Sequence, residues 1–315
     1  MTHTPPLPVT RRVLSLDGGG AKGVYSLGFL SRLERDAGRP LAEVFDLVYG
    51  TSTGSIIAAL LGFGTPVEEI YELYLEHVPT ILSPWLKRTR SVRLQSVADR
   101  LIRDRTWADL KPLTGIVATN WDNKEPLIFK SREGMAHAGR SAFVAGFGVP
   151  LTTAICASCA AVPLFRPVTV TVANRGGERV AAYDGGFCAN NPSLFALVDA
   201  QGLGFDFTRT ALVSVGVGHY PRPAPWTAQR LAMRVAALLT SVRLLDGVLE
   251  SGSNTANLLR TLLLKGVRTV RADDLFNTPE LGTDLLETDR EKLRKLYARG
   301  TQTYQRLEKE IQCLL

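Results

Sequence analysis

Apolar positions cut this chain into short runs and longer helical stripes. Residues 12–16 (RVLSL) make a brief apolar run and predict a buried strand. Over 21–37, Val24, Leu27, Leu30 and Leu33 recur at helical spacing, and Gly38 follows as a stop. Residues 44–49 (VFDLVY) predict the next strand, and the small-residue stretch 54–61 a helix directly after it. Pro66 opens a further helix (VEEIYELYLEHV). Strands are expected at 115–120 and 126–129, a small-residue helix at 152–161, and paired strands at 167–172 and 178–182. A helix at 193–200, a strand at 211–217, mostly helix over 226–264 and a polar helix over 289–315 complete the pattern. Residues 79–105 stand apart: proline-broken and arginine-rich, they read as irregular.

Strands alternating with helices predict an α/β fold with a mainly parallel sheet and helices on both faces. No repeat or linker divides the 315 residues. The expectation is a proline-rich, flexible arm at 1–10 and one domain over 11–315, helical toward its C-terminal part.

Composition adds boundaries rather than a function. The chain is 45% hydrophobic and 21% charged, ordinary for a globular protein. Thirty-seven Lys and Arg against thirty Asp and Glu leave +7, which suits anionic partners such as acidic headgroups or nucleotides. Nothing points to DNA. The first twelve residues lack an apolar leader core, and no apolar stretch reaches the ~18 residues a spanning helix needs. Four scattered cysteines make no disulfide framework, so a reducing cytoplasm is expected. An activity on lipid would then act from the inner membrane surface, by peripheral contact.

The chemistry sits in three short motifs. GTSTG (50–54) is G-x-S-x-G between a strand and a helix, the turn that lifts a serine off a strand end. Gly50 and Gly54 permit the tight turn, and Ser52 is the candidate nucleophile. DGGGAKG (17–23) also follows a strand and opens a helix. Gly18, Gly19 and Gly20 can there turn successive N–H groups toward one anion, and Gly23 lets the helix start close by. Each such donor is worth about 3 kcal/mol to a tetrahedral oxyanion. Gly18, Gly20 and Gly23 also satisfy G-x-G-x-x-G, but the second strand has no acid at its end to hold a ribose, and no G-K-[ST] is present. The third motif, DGGFCANNP (184–192), offers Asp184, with Gly185 and Gly186 shaping its turn.

Ser52 needs a base. His219, after the strand ALVSVGVG, would give the order Ser–Asp–His of an α/β-hydrolase triad. The alternative is a dyad in which Asp184 alone contacts Ser52, its basicity raised by burial. His3, His77 and His137 lie away from strand ends.

DGGGAKG, GTSTG and DGG with its trailing NNP occur here in the order and context of the patatin-like phospholipases, which this chain resembles over about 13–217. The resemblance implies a three-layer α/β/α sandwich and a Ser–Asp dyad without histidine. It makes Ser52 the nucleophile, Asp184 its base, Gly18 to Gly20 the oxyanion hole, and a glycerophospholipid ester the substrate, with no cofactor. A non-catalytic member that binds lipid or nucleotide is the competing reading. Some compact bacterial members are antiphage effectors switched on by cyclic oligonucleotides to degrade membranes, which makes such a nucleotide a candidate activator here. Lys22 stands where the family usually has arginine, keeping the charge but not the bidentate fork.

Three weaker signals remain. Cys156-Ala-Ser-Cys159 is a lone C-x-x-C without further ligands, so it reads as two packed thiols and no metal site. Trp85, Lys87, Arg88, Arg90 and Arg93 make a basic segment suited to anionic lipid. Arg230 and Arg234 share a helix face in an acid-free stretch. With Lys22, Arg88 and Arg90 they are the candidate anion or membrane contacts.

Overall fold

The computed structural model describes residues 9–135, 143–173, 176–220 and 233–315. The arm through residue 8, His137, Arg222 and Arg230 lie outside the described residues, as does the side chain of Arg234.

Strand β1 (Arg11–Leu16) runs into the glycine loop, from which α1 (Gly23–Ala37) emerges. Strand β2 (Leu47–Thr51) leads through Ser52 into α2 (Thr53–Gly62). Helices α3 (Val67–Leu82) and α4 (Lys87–Ile102) follow, then β3 (Leu113–Asn120) and β4 (Glu125–Lys130). After α5 (Leu151–Ser158) come β5 (Val168–Val172), β6 (Glu178–Asp184), the single turn α6 (Gly186–Ala189) and α7 (Ser193–Gly202). Strand β7 (Thr210–Val215), the long α8 (Met233–Leu263), β8 (Arg268–Ala272) and α9 (Arg290–Gln312) complete the order.

The strands form one sheet, β5-β6-β3-β2-β1-β7-β8, with β4 added against β3. The run from β3 through β2, β1 and β7 to β8 is parallel, while β4, β5 and β6 pair antiparallel. Alternate residues of the central strands feed two cores. Leu14, Leu16 and Val48 meet α1, α2 and α9 on one face, and Val13, Leu47 and Tyr49 meet α7 on the other. The result is the three-layer α/β/α sandwich.

Register then fixes where the motifs converge. Leu16 pairs with Gly50, so the glycine loop and the Ser52 turn leave adjacent parallel strands side by side. Thr51 pairs with Val117, which puts Ser52 level with Ala118, and Ala118 pairs with Asp184 across the β3–β6 ladder. Two residues 132 positions apart are thereby delivered to the same rung. The carboxyl ends of parallel strands are where α/β sheets hold ligands.

Two expectations fail here for identifiable reasons. The segment 79–105 is helical almost throughout, with Pro79 inside α3 and α4 following within a few residues. The buried stripe of α4 runs Arg90, Leu94, Ala98, Ile102, four residues apart. An arginine in the first of those positions weakened the apolar period. The apolar pattern predicts no element at strand β8, because two arginines interrupt Arg268–Ala272.

The polar helix α9 buries Leu293, Leu296, Tyr304 and Ile311 against the core. It crosses α1 at a backbone contact. A Cβ on Gly28 would collide with the Tyr297 carbonyl oxygen, and one on Gly300 with that of Tyr25. Gly300→Ala is therefore expected to cost about 1–3 kcal/mol by forcing α1 and α9 apart. Urea unfolding measures it; an unchanged midpoint would show that the crossing yields freely.

Candidate active site

Ser52 sits at φ 51° and ψ −125° as the N-cap of α2. A non-glycine residue is held in that left-handed conformation only when its surroundings impose it. The imposition is visible. A Cβ on Gly50 would strike the Gly54 carbonyl, and one on Gly54 would strike the Leu16 carbonyl, so strand, turn and helix close to backbone contact. The Ser52 N–H donates to Ser158 Oγ at 2.8 Å, and Ser158 Oγ donates to the Val117 carbonyl at 2.6 Å. Ser158, at the end of α5, thus pins the turn to β3. Sequence reasoning missed it, since a serine in a small-residue helix carries no local signal.

Ser52 Oγ donates to Asp184 Oδ2 at 2.7 Å. The other carboxylate oxygen, Oδ1, accepts the Gly186 N–H at 2.7 Å. Asp184 is buried, and burial pushes its carboxyl up to about 7, although the bonds from Gly186 and Ser52 pull it back. Gly185 lies against the Val117 carbonyl, where a side chain has no room. A carboxylate with a pKa near neutrality is a far better proton acceptor than an ordinary one.

The glycine loop divides its duties. Gly18 donates its N–H to the Asn190 carbonyl at 3.1 Å, and Asn190 Nδ2 donates back to the Gly18 carbonyl at 3.1 Å. Gly18 is therefore corrected from oxyanion donor to structural anchor. The N–H groups of Gly19 and Gly20 have no acceptor among the described residues, and both residues line one cavity with Ser52 and Asp184. Gly20, at φ 56°, also has its carbonyl held by the Tyr74 hydroxyl, while Gly23 opens α1 against the same tyrosine. Apart from Thr53, the remaining wall of the cavity is apolar, including Ile56, Ile81, Leu82, Leu94, Phe165 and Leu249.

Asp17, first residue of the glycine motif, is held from below. Arg271 on β8 donates Nη1 to Asp17 Oδ1 at 2.8 Å and Nη2 to Asp17 Oδ2 at 2.6 Å, and reaches Asp273 at 2.6 Å. Held between two carboxylates, the guanidinium is kept charged. Burial pushes Asp17 up to about 6 against the pull of Arg271 and Ser253.

Three candidate surface contacts need correction or placement. Lys22 is buried and its ammonium is 2.6 Å from Asp246 on α8, so it is spent on an internal ion pair. Arg90 is buried too, donating Nε to the Leu82 carbonyl at 3.1 Å where the α3–α4 turn needs a donor. Arg88 is exposed, beside Trp85 and Leu86, which are 70% and 65% exposed. His219 lines a separate polar cavity on the other side of Gly19, with Nε2 3.4 Å from Glu250. Cys156 and Cys159 are free, buried thiols, and burial pushes the Cys156 thiol up to about 12.

Comparison with known proteins supplies the identity of the fold. The family model described as patatin-like phospholipase matches residues 14–197. The chain belongs to the patatin-like phospholipase family. Like other members it is an enzyme of lipid ester hydrolysis. It is 45% identical over 295 residues to a cUMP-AMP-activated phospholipase of Escherichia coli, covering 93% of this chain and 90% of that protein. A cGAMP-activated phospholipase of Pseudomonas aeruginosa is 30% identical over 203 residues, 61% of this chain and 57% of its own length. Among solved structures, VipD from Legionella pneumophila shares the patatin-like fold with a TM-score of 0.52 at 13% identity, covering 96% of this chain and 67% of that one. Among the described residues, no helix is long and apolar enough to cross a membrane.

Proposed function

We propose that this patatin-like enzyme is a phospholipase A that works through a Ser52–Asp184 dyad, under the control of a cyclic nucleotide. Ser52 Oγ attacks an ester carbonyl of a glycerophospholipid as Asp184 takes the hydroxyl proton. The Gly19 and Gly20 N–H groups carry the oxyanion. Collapse breaks the bond to the lysophospholipid oxygen, which leaves with the proton from Asp184, and the acyl group stays on Ser52. Water, deprotonated by Asp184, then releases the fatty acid and restores the serine. The observation that carries this reading is the 2.7 Å bond from Ser52 Oγ to a buried carboxylate pushed up to about 7, beside an apolar cavity.

Access from a membrane is supported by the α3–α4 hairpin. Its helices supply Ile81, Leu82 and Leu94 to the cavity wall, its turn exposes Trp85 and Leu86, and Arg88 is exposed at the start of α4. An apolar tip with cationic neighbours suits the headgroup region of an anionic bilayer, on the cytoplasmic side. Control by a cyclic nucleotide, and with it a role in antiphage defence, is supported by the names of the Escherichia coli and Pseudomonas aeruginosa relatives.

The test is lipidomics of phosphatidylethanolamine and phosphatidylglycerol vesicles exposed to wild type and to Ser52→Ala, each with and without a panel of cyclic dinucleotides. Fatty acid and lysolipid should appear with wild type alone and rise with one member of the panel. Release by Ser52→Ala would end the dyad reading, and equal release with every nucleotide and with none would end the control. Since the base must be ionised, kcat/KM should climb with pH through about 7 and level off above it. A profile flat from pH 5 to 9 would remove Asp184 as the base.

A further inference from the structure

Helix α8 buries one face and leaves the other bare. Val242, Leu245, Leu249 and Ser253 turn inward. On the same side Asp246 holds Lys22, and Ser253 Oγ accepts from Asn190 at 2.9 Å and donates to Asp17 at 3.2 Å. Along the opposite face, Leu244, Val248, Ser251, Thr255, Leu258 and Leu262 are all exposed, the apolar four by 48–69%. Their spacing alternates four and three residues, which is the seam of a two-helix coiled coil, roughly 27 Å long. The exposed residues flanking it are Gly252 and Leu259 on one side, and Gly247, Asn254 and Thr261 on the other. None is charged, whereas a helix face that stays in water is normally charged and polar.

The order of residues along the seam says what covers it. In residue class it is symmetric about the level of Ser253: Leu244 mirrors Leu262, Val248 mirrors Leu258, and Ser251 mirrors Thr255. A strip with that property is complementary to itself under a two-fold rotation that sets two helices antiparallel. Apolar side chains then meet apolar ones, and the small hydroxylated pair meets its own mirror image at the centre. Thr255 Oγ1 already donates to the Ser251 carbonyl at 2.9 Å, so burying it strands no donor. A membrane-lying helix would instead be rimmed with lysine or arginine.

We infer that α8 is a self-pairing helix, through which the outer faces of two copies of this chain join antiparallel about an axis level with Ser253. The inner face of the same helix holds Lys22 and Asp17 of the glycine motif and supplies Leu249 to the Ser52 cavity. The dimer axis therefore lies one helix away from the candidate oxyanion donors.

Sedimentation of the full chain at micromolar concentration tests this. Wild type should be a dimer. Val248→Lys and Leu258→Glu should each weaken self-association by about 100-fold or more, since each puts two charges against apolar partners. An equal mixture of the two variants should pair again. In the antiparallel arrangement the new lysine of one copy meets the new glutamate of the other, and the unaltered Leu258 and Val248 meet across the second contact. Both positions are exposed in the single copy, so circular dichroism should match wild type, showing that the fold is intact. A monomeric wild type overturns the inference, as do variants that remain dimeric. A mixture that stays monomeric overturns the antiparallel pairing. A monomeric wild type that binds phosphatidylglycerol vesicles and loses that binding in Leu258→Glu would hand the face to lipid instead.

Discussion

Ser52→Ala is expected to lower kcat/KM for a short acyl ester by about 10⁴ or more, with the fold intact, because groups that act as one unit fail together when either is removed. Asp184→Asn should lose activity on the same order. It keeps the size of the side chain and removes the proton acceptor that Ser52 Oγ now reaches at 2.7 Å. His219→Ala should stay close to wild type, since that imidazole faces Glu250 across the glycine loop. Collapse of activity in a folded His219→Ala would move the base to histidine, and unimpaired Ser52→Ala would leave the serine without a role. The same pair of side chains carries a stability signature with a defined sign. Asp184 has its folded pKa raised from 3.8 to about 7, so its contribution is fully present below pH 4 and is lost as pH rises through 7. Asp184→Asn should therefore melt higher than wild type at pH 8, with the gain shrinking toward pH 4. An inactive variant that is more stable at pH 8 is the mark of a buried charge kept for chemistry.

Arg271→Met is the substitution expected to damage the fold most. It leaves Asp17 and Asp273 without their shared cation, and removing one partner of a buried ion pair costs about 3–5 kcal/mol. The loss should be larger at pH 8 than at pH 5, where a buried Asp17 freed from its cation can take up a proton. Asp17→Asn added to Arg271→Met should recover part of the midpoint in urea. Additive losses in the double variant would show that the two side chains are not coupled, contrary to the bidentate contact.

The parts of the site that turn chemistry dictates were legible in the sequence. A serine between Gly50 and Gly54, after an apolar run and before a small-residue helix, announces its own backbone geometry. The glycine loop does the same. What local sequence does not announce is how peptide groups are shared out. Gly18 looks equivalent to Gly19 until Asn190, 172 residues later, takes its N–H. Lys22 and Arg90 look like free cations until Asp246 and the Leu82 carbonyl claim them. Arg271 sits in a strand too short and too charged to be read as one, yet it holds the first residue of the motif. Each miss is a polar group satisfied by a distant partner, and periodicity carries no information about that.

The floor of the Ser52 cavity belongs to the sheet, but much of its wall belongs to one helical hairpin. Val78, Ile81, Leu82 and Leu94 come from α3 and α4, while Ser52 and Asp184 come from strand ends. On the proposed mechanism, which fatty acid fits and how it is cut are thereby encoded in separate stretches of the chain. Swapping side-chain volume at those four positions can shift the preferred tail length and leave the cutting machinery untouched, giving evolution and protein engineers a dial independent of the blade.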